Sequence, residues 1–325
     1  MTPNPDLPLV TIITPTYNRA DYLPEVIDSV LSQDYPNLEY IVLDDGSKDN
    51  TVEVLERYAG RIIWESHTNM GEAKTVNKGF AMATGEIIAI VNSDDPILPG
   101  LVRAAVNALQ AHPSALVAYP DWVMIDPQGR PISYHTTPDY DFLQTVREHY
   151  CMPGPGAFIR RRALVLVGGR STHVRYVGDY DFWLRLGLHG DFIRIPQTLA
   201  TWRDHPNSAS SAARSQAMAE EHLTVIRDFY AQPNLPEAVL RVKDEAFSSA
   251  YYAAGLAAGG AAAARKYYSK SIQLHRNSRL RGEARSWKVM LASLLLPGAW
   301  VDGMLRRRHA AQVAAMQEAA RRQKG

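Results

Sequence analysis

LVTIITPTYNR, residues 9–19, decides the fold. Leu9 to Thr14 is a nearly unbroken apolar, β-branched run, as expected of a strand buried in a parallel sheet. A turn over Pro15–Arg19 follows. Apolar residues then recur at Leu23, Val26, Ile27, Val30 and Leu31, the spacing of an amphipathic helix with Pro24 in its first turn. Working outward, Tyr40–Leu43 predicts a second strand, ending at Asp44-Asp45-Gly46-Ser47. A helix capped near Asp49 or Asn50 runs on through Val52, Leu55 and Tyr58. Ile62–Trp64 predicts a third strand and Ala73–Ala83 a helix closed by Thr84-Gly85. Ile87–Val91 predicts a fourth strand, ending at Asn92-Ser93-Asp94-Asp95. The order βαβαβαβ with short loops predicts an α/β fold, a mainly parallel sheet with helices on both faces.

Beyond residue 100 the pattern mixes short strands (Leu116–Tyr119, Ala157–Arg160) with turns and one aromatic helix, Tyr180–Leu188. From about Ser211 it turns helical, and Ala250–Ala264 is rich in Ala and Gly. A boundary in the Ser- and Ala-rich stretch Asn207–Arg214 is expected to divide the α/β domain, 1–210, from a helical C-terminal region, 211–325.

The formal net charge of +1 averages two unlike parts of the 325 residues. From Arg265 to the C-terminus stand 14 Lys and Arg against 3 acids, leaving 21 against 31 before it. An acidic body that handles an anionic substrate needs a cation, either a metal or placed arginines, while the basic tail suits anionic lipid. Within the tail, WKVMLASLLLPGAW (287–300) lies between basic residues. It reads equally as an interfacial anchor in residues 281–325 or as a helix packed on protein, which liposome flotation with and without that segment distinguishes. No base-reading motif accompanies the charge, so nucleic acid is not expected. The single Cys151 excludes an internal disulfide, and no apolar stretch is long enough to span a bilayer. The expected location is the cytoplasm, with peripheral contact at the inner face of the plasma membrane.

A sheet of this kind binds ligands beyond the C-terminal ends of its strands. Three predicted strands end there in polar loops: PTYNR, DDGS and NSDD. Asp44-Asp45-Gly46-Ser47 alone is more often a turn than a site, and what raises it is its position directly after a buried strand. Asp94 and Asp95 repel one another unless a cation or donors compensate them, and Mg²⁺ or Mn²⁺ needs few protein ligands when phosphate oxygens complete its shell. Gly178-Asp179-Tyr180-Asp181 places acids at the mouth of the aromatic helix. There they either complement the helix dipole or, held near apolar rings, serve as a general base. His205 on its own is a surface or packed histidine, and Met152–Ala157 a plain turn of small residues. Neither a P-loop nor a GxGxxG opens the first helix, which disfavours dinucleotide binding.

Taken together, TPTYNR (14–19), DDGSKDNT (44–51), the segment from Asn69 to Gly100, GDYDFWLRL (178–186) and WRDHPNS (202–208) resemble the family 2 glycosyltransferases with the GT-A fold. The resemblance covers about residues 8–208. It implies a nucleotide-sugar donor, a UDP-sugar foremost, with Pro15, Thr16 and Tyr17 lining the base pocket, Asp45 on the base or ribose, and Asp94 on the ribose. It further implies Mn²⁺ or Mg²⁺ held by Asp95, with His205 at a position that reaches the metal in some GT-A enzymes. Asp179 matches the catalytic base of inverting members, although Gly178 replaces the acid that often precedes it. Gly154 and Gly156 match a loop on the acceptor side, for a glycan or lipid-linked acceptor of bacterial surface-glycan synthesis. A nucleotidyltransferase acting on sugar phosphates would carry a Gly-rich basic signature near its first strand, which PTYNR lacks. An inactive binding protein of the same fold would have lost the acids, yet Asp45, Asp95 and Asp179 are present.

Overall fold

The computed structural model describes residues 4, 6–205 and 215–274. These divide into two compact units. The first holds the residues up to Tyr140 together with Met152–Thr172 and Arg185–His205; the second holds Asp141–Cys151, His173–Leu184 and the described residues after Pro206. Compactness therefore does not follow a single cut at 207–214, because two earlier segments join the C-terminal helices. Residues 281–325, the expected membrane-contacting tail, lie outside the described residues.

The first unit is built on β1 (Val10–Thr16), β2 (Leu38–Asp44), β3 (Ile63–Ser66), β4 (Ile87–Ile90), β5 (Val117–Ile125), β6 (Pro131–His135), β7 (Phe158–Arg160) and β8 (Phe192–Arg203). Their order is β3-β2-β1-β4-β7-β5-β6, with β8 on the other edge of β5. The pairs β1–β2, β1–β4, β2–β3 and β5–β8 are parallel, whereas β7 runs antiparallel between β4 and β5, and β6 antiparallel to β5. All seven residues of β1 are buried, which the apolar run predicted.

Helices α1 (Leu23–Leu31), α2 (Thr51–Arg57) and α4 (Leu101–Ala111) cover one face of the sheet, where Val26, Ile27, Leu55, Val102 and Leu109 pack on Val10, Ile12, Val42 and Ala89. Helix α3 (Glu72–Met82) covers the other face. It approaches so closely that a Cβ on Gly79 would lie 2.5 Å from Ile13 Cγ2, so glycine is required there. Helix α6 (Arg161–Val167) follows β7.

The second unit holds α5 (Phe142–Glu148), α8 (Gln216–Tyr230), α9 (Glu237–Arg241), α10 (Lys243–Ala257) and α11 (Ala261–Leu274), with the start of α7 (Gly178–Gly187). Helix α10 packs on α5, α8 and α11. Its contact with α11 explains the small residues of 250–264. Gly255 leaves room for the Tyr268 ring, and Ser248 and Ser271 each donate a hydroxyl to the other's carbonyl. Among the described residues no helix is long and apolar enough to cross a membrane.

Candidate active site

The register puts three strand ends level. Thr16 pairs with Asp44, and Ile13 with Ile90, so the loops after β1, β2 and β4 emerge at the same end of the sheet. Two strand spacings, on the order of 10 Å, separate the DDGS and NSDD loops.

The two carboxylates of DDGS do different things. Asp44 is fully buried and accepts from Ser47 N–H and, at 2.6 Å, from Ser66 Oγ, which fixes the turn. Asp45 donates its own N–H to Thr16 O and accepts from the backbone N–H groups of Met70 at 2.6 Å and Gly71 at 2.9 Å. Its carboxylate thus holds the 67–71 loop against the end of β2. Gly46, at φ +76°, is required because a Cβ would stand 2.8 Å from Asn69 N. Asn18, also at positive φ, ties the first loop to the second, accepting from Lys48 N–H and donating its N–H to Ser47 Oγ. Tyr17 is 42% exposed. Two buried polar atoms flank Asp45 with no protein partner among the described residues, Thr16 Oγ1 and His67 Nε2. Burying a polar group without a hydrogen bond costs free energy, so such atoms at a strand-end rim suit a ligand that bonds there.

The NSDD loop is held from the far side of the chain. Arg203, at the end of β8, donates its backbone N–H to Asp95 Oδ1 at 2.7 Å, while Asn92 donates its amide to Asp95 Oδ2 at 2.9 Å. The Arg203 side chain is fully buried. It donates to Asp94 O, to Glu25 Oε2, and to the carbonyls of Asp126 and Pro127, with its guanidinium over the Tyr22 ring. Asp94 Oδ2 accepts from Arg19 Nε at 3.1 Å and lies 3.0 Å from His205 Nε2. His205 therefore meets the carboxylate of Asp94, not that of Asp95. The consequence is an unequal pair. Two cationic or donor side chains compensate Asp94, whereas Asp95 is buried with only neutral hydrogen bonds on its oxygens. Burial, and next the negative charge of Asp94, push its carboxyl up to about 7. A depression lined by Asn92, Asp95, Pro155, Gly156, Ala200 and Thr201 opens beside it. Gly156, at φ +78°, is fixed by Ala200 and Pro120, and Gly154 by the Trp122 indole, 2.7 Å from where a Cβ would stand.

Asp179 belongs to the second unit, in the first turn of α7. It is exposed, in contrast to the expected packing among rings, and its Oδ1 accepts from Tyr180 N–H at 2.8 Å. Asp181, one position from Tyr180, is buried. Sequence reasoning missed the neighbours of this turn. His149, at a left-handed φ of 51°, packs on the Tyr180 ring at 4.2 Å, and its Nε2 is 2.9 Å from Nδ1 of His222 on α8. No single-sequence signal links histidines 73 positions apart.

Burial lowers the His222 imidazole to about 4, against the opposing pull of Asp179 and Glu221. A group depressed on folding stabilises above its unfolded value and loses that contribution as pH falls. Wild-type stability should therefore drop by up to about 3 kcal/mol between pH 6.5 and 4 through His222. Urea unfolding of His222→Gln over that window should show the slope reduced; an unchanged slope refutes the assignment.

The sheet order and the acid loops at one end of it match the GT-A fold, the fold of solved glycosyltransferases similar to this chain. The chain superposes on S. aureus TarS 1–349, solved with UDP-GlcNAc, with a TM-score of 0.61 at 19% identity, covering 82% of this chain and 89% of that one. It superposes on a mannosyltransferase from Pyrobaculum calidifontis, solved with GDP-Man and Mn²⁺, with a TM-score of 0.58 at 19% identity, covering 96% and 88%. An uncharacterised glycosyltransferase of Rickettsia typhi is 30% identical over 224 residues, 66% of this chain and 70% of the relative. The chondroitin synthase of Pasteurella multocida is 30% identical over 192 residues, 57% of this chain but 20% of that protein. The profile of glycosyl transferase family 2 matches residues 11–165, and the chain belongs to that family.

Proposed function

We propose that the chain transfers a sugar from a nucleoside-diphosphate donor to an acceptor hydroxyl, with a divalent cation and inversion at the anomeric carbon. One observation carries the reading: Asp45, Asp94 and Asp95 stand on loops at one end of the sheet, and the buried Asp95 carboxyl, only partly offset by the Arg203 charge, is pushed well above the ordinary carboxylate range. The orphaned Thr16 Oγ1 and His67 Nε2 support a hydrogen-bonding base or ribose beside Asp45. The nucleotide sugars and nucleotide bound by the similar structures support the same class of donor.

The donor set fits a hard cation. Each Asp95 oxygen carries one hydrogen bond, which leaves lone pairs for coordination. No cluster of three or more protein ligands is found among the described residues, and none is needed where diphosphate oxygens and water complete the shell. Asp95, with His205 beside Asp94, would hold Mn²⁺ or Mg²⁺. The cation, when bound, neutralises charge growing on the departing diphosphate. Pro15, Thr16, Tyr17 and Asp45 hold the base and ribose, and Asp94 orients the ribose. Asp179 takes the acceptor hydroxyl proton as that oxygen bonds to the anomeric carbon opposite the breaking bond to phosphate. Gly154 and Gly156 shape the acceptor side. The acceptor is a glycan or lipid-linked glycan of a bacterial surface, with residues 281–325 as a peripheral membrane contact at the cytoplasmic face.

UDP and GDP release from a panel of nucleotide sugars, with Mn²⁺, Mg²⁺ or EDTA, tests the reading. One donor should be turned over in the presence of metal and not in EDTA. Release from no donor overturns the transfer, and undiminished release in EDTA removes the cation.

A further inference from the structure

Helix α6 inverts the usual rule for a helix on the outside of a domain. Leu164 to Val167 are four aliphatic residues in a row, yet Ala163 is the helix's one buried residue. Val165 is 85% exposed and Leu166 51%, with Leu164 and Val167 partly exposed. An amphipathic helix hides its apolar stripe, whereas this one presents it. The ends, not the aliphatic side chains, hold the helix in place. Arg161 donates its N–H to Glu86 O, and the Arg185 guanidinium donates to the Val167 and Gly169 carbonyls. Gly168, at φ +72°, turns the chain, and Asn77 accepts from Arg170 N–H while donating to Arg170 O. The backbone is thus satisfied while contiguous aliphatic surface faces water, a surface that gains free energy when something covers it.

Charge decides what covers it. From Arg160 to Thr172 stand four arginines and no acid, in a body where acids outnumber Lys and Arg by 31 to 21 as far as Ala264. Arg161 and Arg162 are exposed and precede Val165 and Leu166 by one turn, on the same face of the helix. Their guanidiniums donate to the carbonyls of Thr84 and Pro113, which satisfies donors without cancelling charge. Burial, and next the charge of Arg162, hold the Arg160 guanidinium below its ordinary value against a smaller pull from Glu86. Glu39, whose carboxylate feels Arg161, is taken up by the hydroxyls of Thr11 and Thr84. In a symmetric dimer the patch would meet itself, arginines facing arginines with no acid of the helix between them. The chain from Arg265 onward, with 14 Lys and Arg against 3 acids, is repelled in the same way. An anionic bilayer suits both parts of the patch: aliphatic side chains enter the headgroup boundary, and arginines at the margin reach lipid phosphate.

We propose that α6 is a membrane-docking element, seating Val165 and Leu166 in an anionic lipid surface with Arg161 and Arg162 on its headgroups. The contact is separate from residues 281–325 and does not depend on the sugar-transfer reading. It is separate from the acid loops as well. Ile87 pairs with Arg160, so the helix begins level with the start of β4, whereas Asn92-Ser93-Asp94-Asp95 follows the end of that strand.

Co-sedimentation of the full chain with sucrose-loaded vesicles, titrated at fixed ionic strength, tests it. The vesicles are phosphatidylcholine alone, or phosphatidylcholine with about a third phosphatidylglycerol, the latter to supply the negative surface. Wild type should partition onto the mixed vesicles and bind the neutral ones at least about tenfold more weakly. Replacing Val165 and Leu166 together by Ser should weaken partition onto the mixed vesicles about tenfold. Arg162→Gln should weaken it about fivefold, the effect of one basic residue near anionic lipid, and keeps the test decisive should the serine pair misfold. Tyr134→Ser, at a side chain 61% exposed on β6, should change nothing. Every variant retains residues 281–325, so a loss confined to the α6 variants assigns the contact to the helix. No binding by wild type, or unchanged partition in a folded α6 variant, overturns the proposal. A wild-type dimer that the serine pair renders monomeric in lipid-free analytical ultracentrifugation also overturns it, giving the face to a second copy of the chain.

Discussion

Asp179→Asn is expected to lower transfer by about 10²–10⁴-fold, the usual contribution of a general base, while nucleotide affinity stays within about twofold of wild type. The substitution is close to isosteric. Its remaining carbonyl oxygen still accepts from Tyr180 N–H, as Asp179 Oδ1 does at 2.8 Å, so the first turn of α7 is kept. What disappears is a site for the hydroxyl proton. A second readout checks that the charge, and not the fold, has changed. Asp179 raises the His222 imidazole against the larger effect of burial, so removing the carboxylate should move the His222 titration further down. Nucleotide binding followed by calorimetry, and the His222 ring followed by NMR, measure both. Equal loss of transfer and nucleotide binding would mean that another residue takes the proton.

The first half of the fold is legible in the sequence because buried parallel strands announce themselves. Val10–Thr16 and Leu38–Asp44 are runs that little except a doubly covered strand explains, and the periodic helices between them leave few topologies. Later elements speak less clearly. Strand β8 spans twelve residues but carries Pro196 and Gln197 in its middle, and its register with β5 shifts at Pro120 and Asp121. The alternation that would reveal both strands is interrupted there, so β5 reads as four residues rather than nine and β8 goes unread.

The site divides along the same line. Asp45 and Asp95 are visible because each follows a strong strand signal directly. Arg203 is not, although its side chain anchors the NSDD loop: its partners Glu25, Asp94, Asp126 and Pro127 are scattered over a hundred positions, and WRDHPNS gives no hint that this arginine is buried. The pairing of His205 with Asp94 is hidden for the same reason. Local sequence identifies which acids reach the rim. Which of them is already compensated depends on side chains arriving from β8 and from the loop after β1.

That inequality gives Asp95→Asn its expected effect. Arg19 and His205 already engage Asp94, so Asp95 is the carboxylate whose charge remains to attract a cation. The amide can keep the Arg203 N–H bond through its oxygen, and Asn92 need only rotate its own amide to accept from the new NH₂. The loop should hold its shape while Mn²⁺ affinity and metal-dependent transfer fall by about 100-fold or more. Stability should move the other way. Because the Asp95 carboxyl is pushed up from its ordinary value to about 7, its contribution to the metal-free fold is fully present only below about pH 4 and is lost progressively as pH rises from there to 7. At pH 8 without metal, the variant should therefore melt above wild type; at pH 5 the gap should be smaller, closing towards pH 4. Adding Mn²⁺ at pH 8 should raise the wild-type melting temperature and leave the variant unmoved, since a cation bound by the folded state alone stabilises it. Melting curves at the two pH values, with and without Mn²⁺, measure all of this. A variant that gains as much from Mn²⁺ as wild type would place the cation elsewhere.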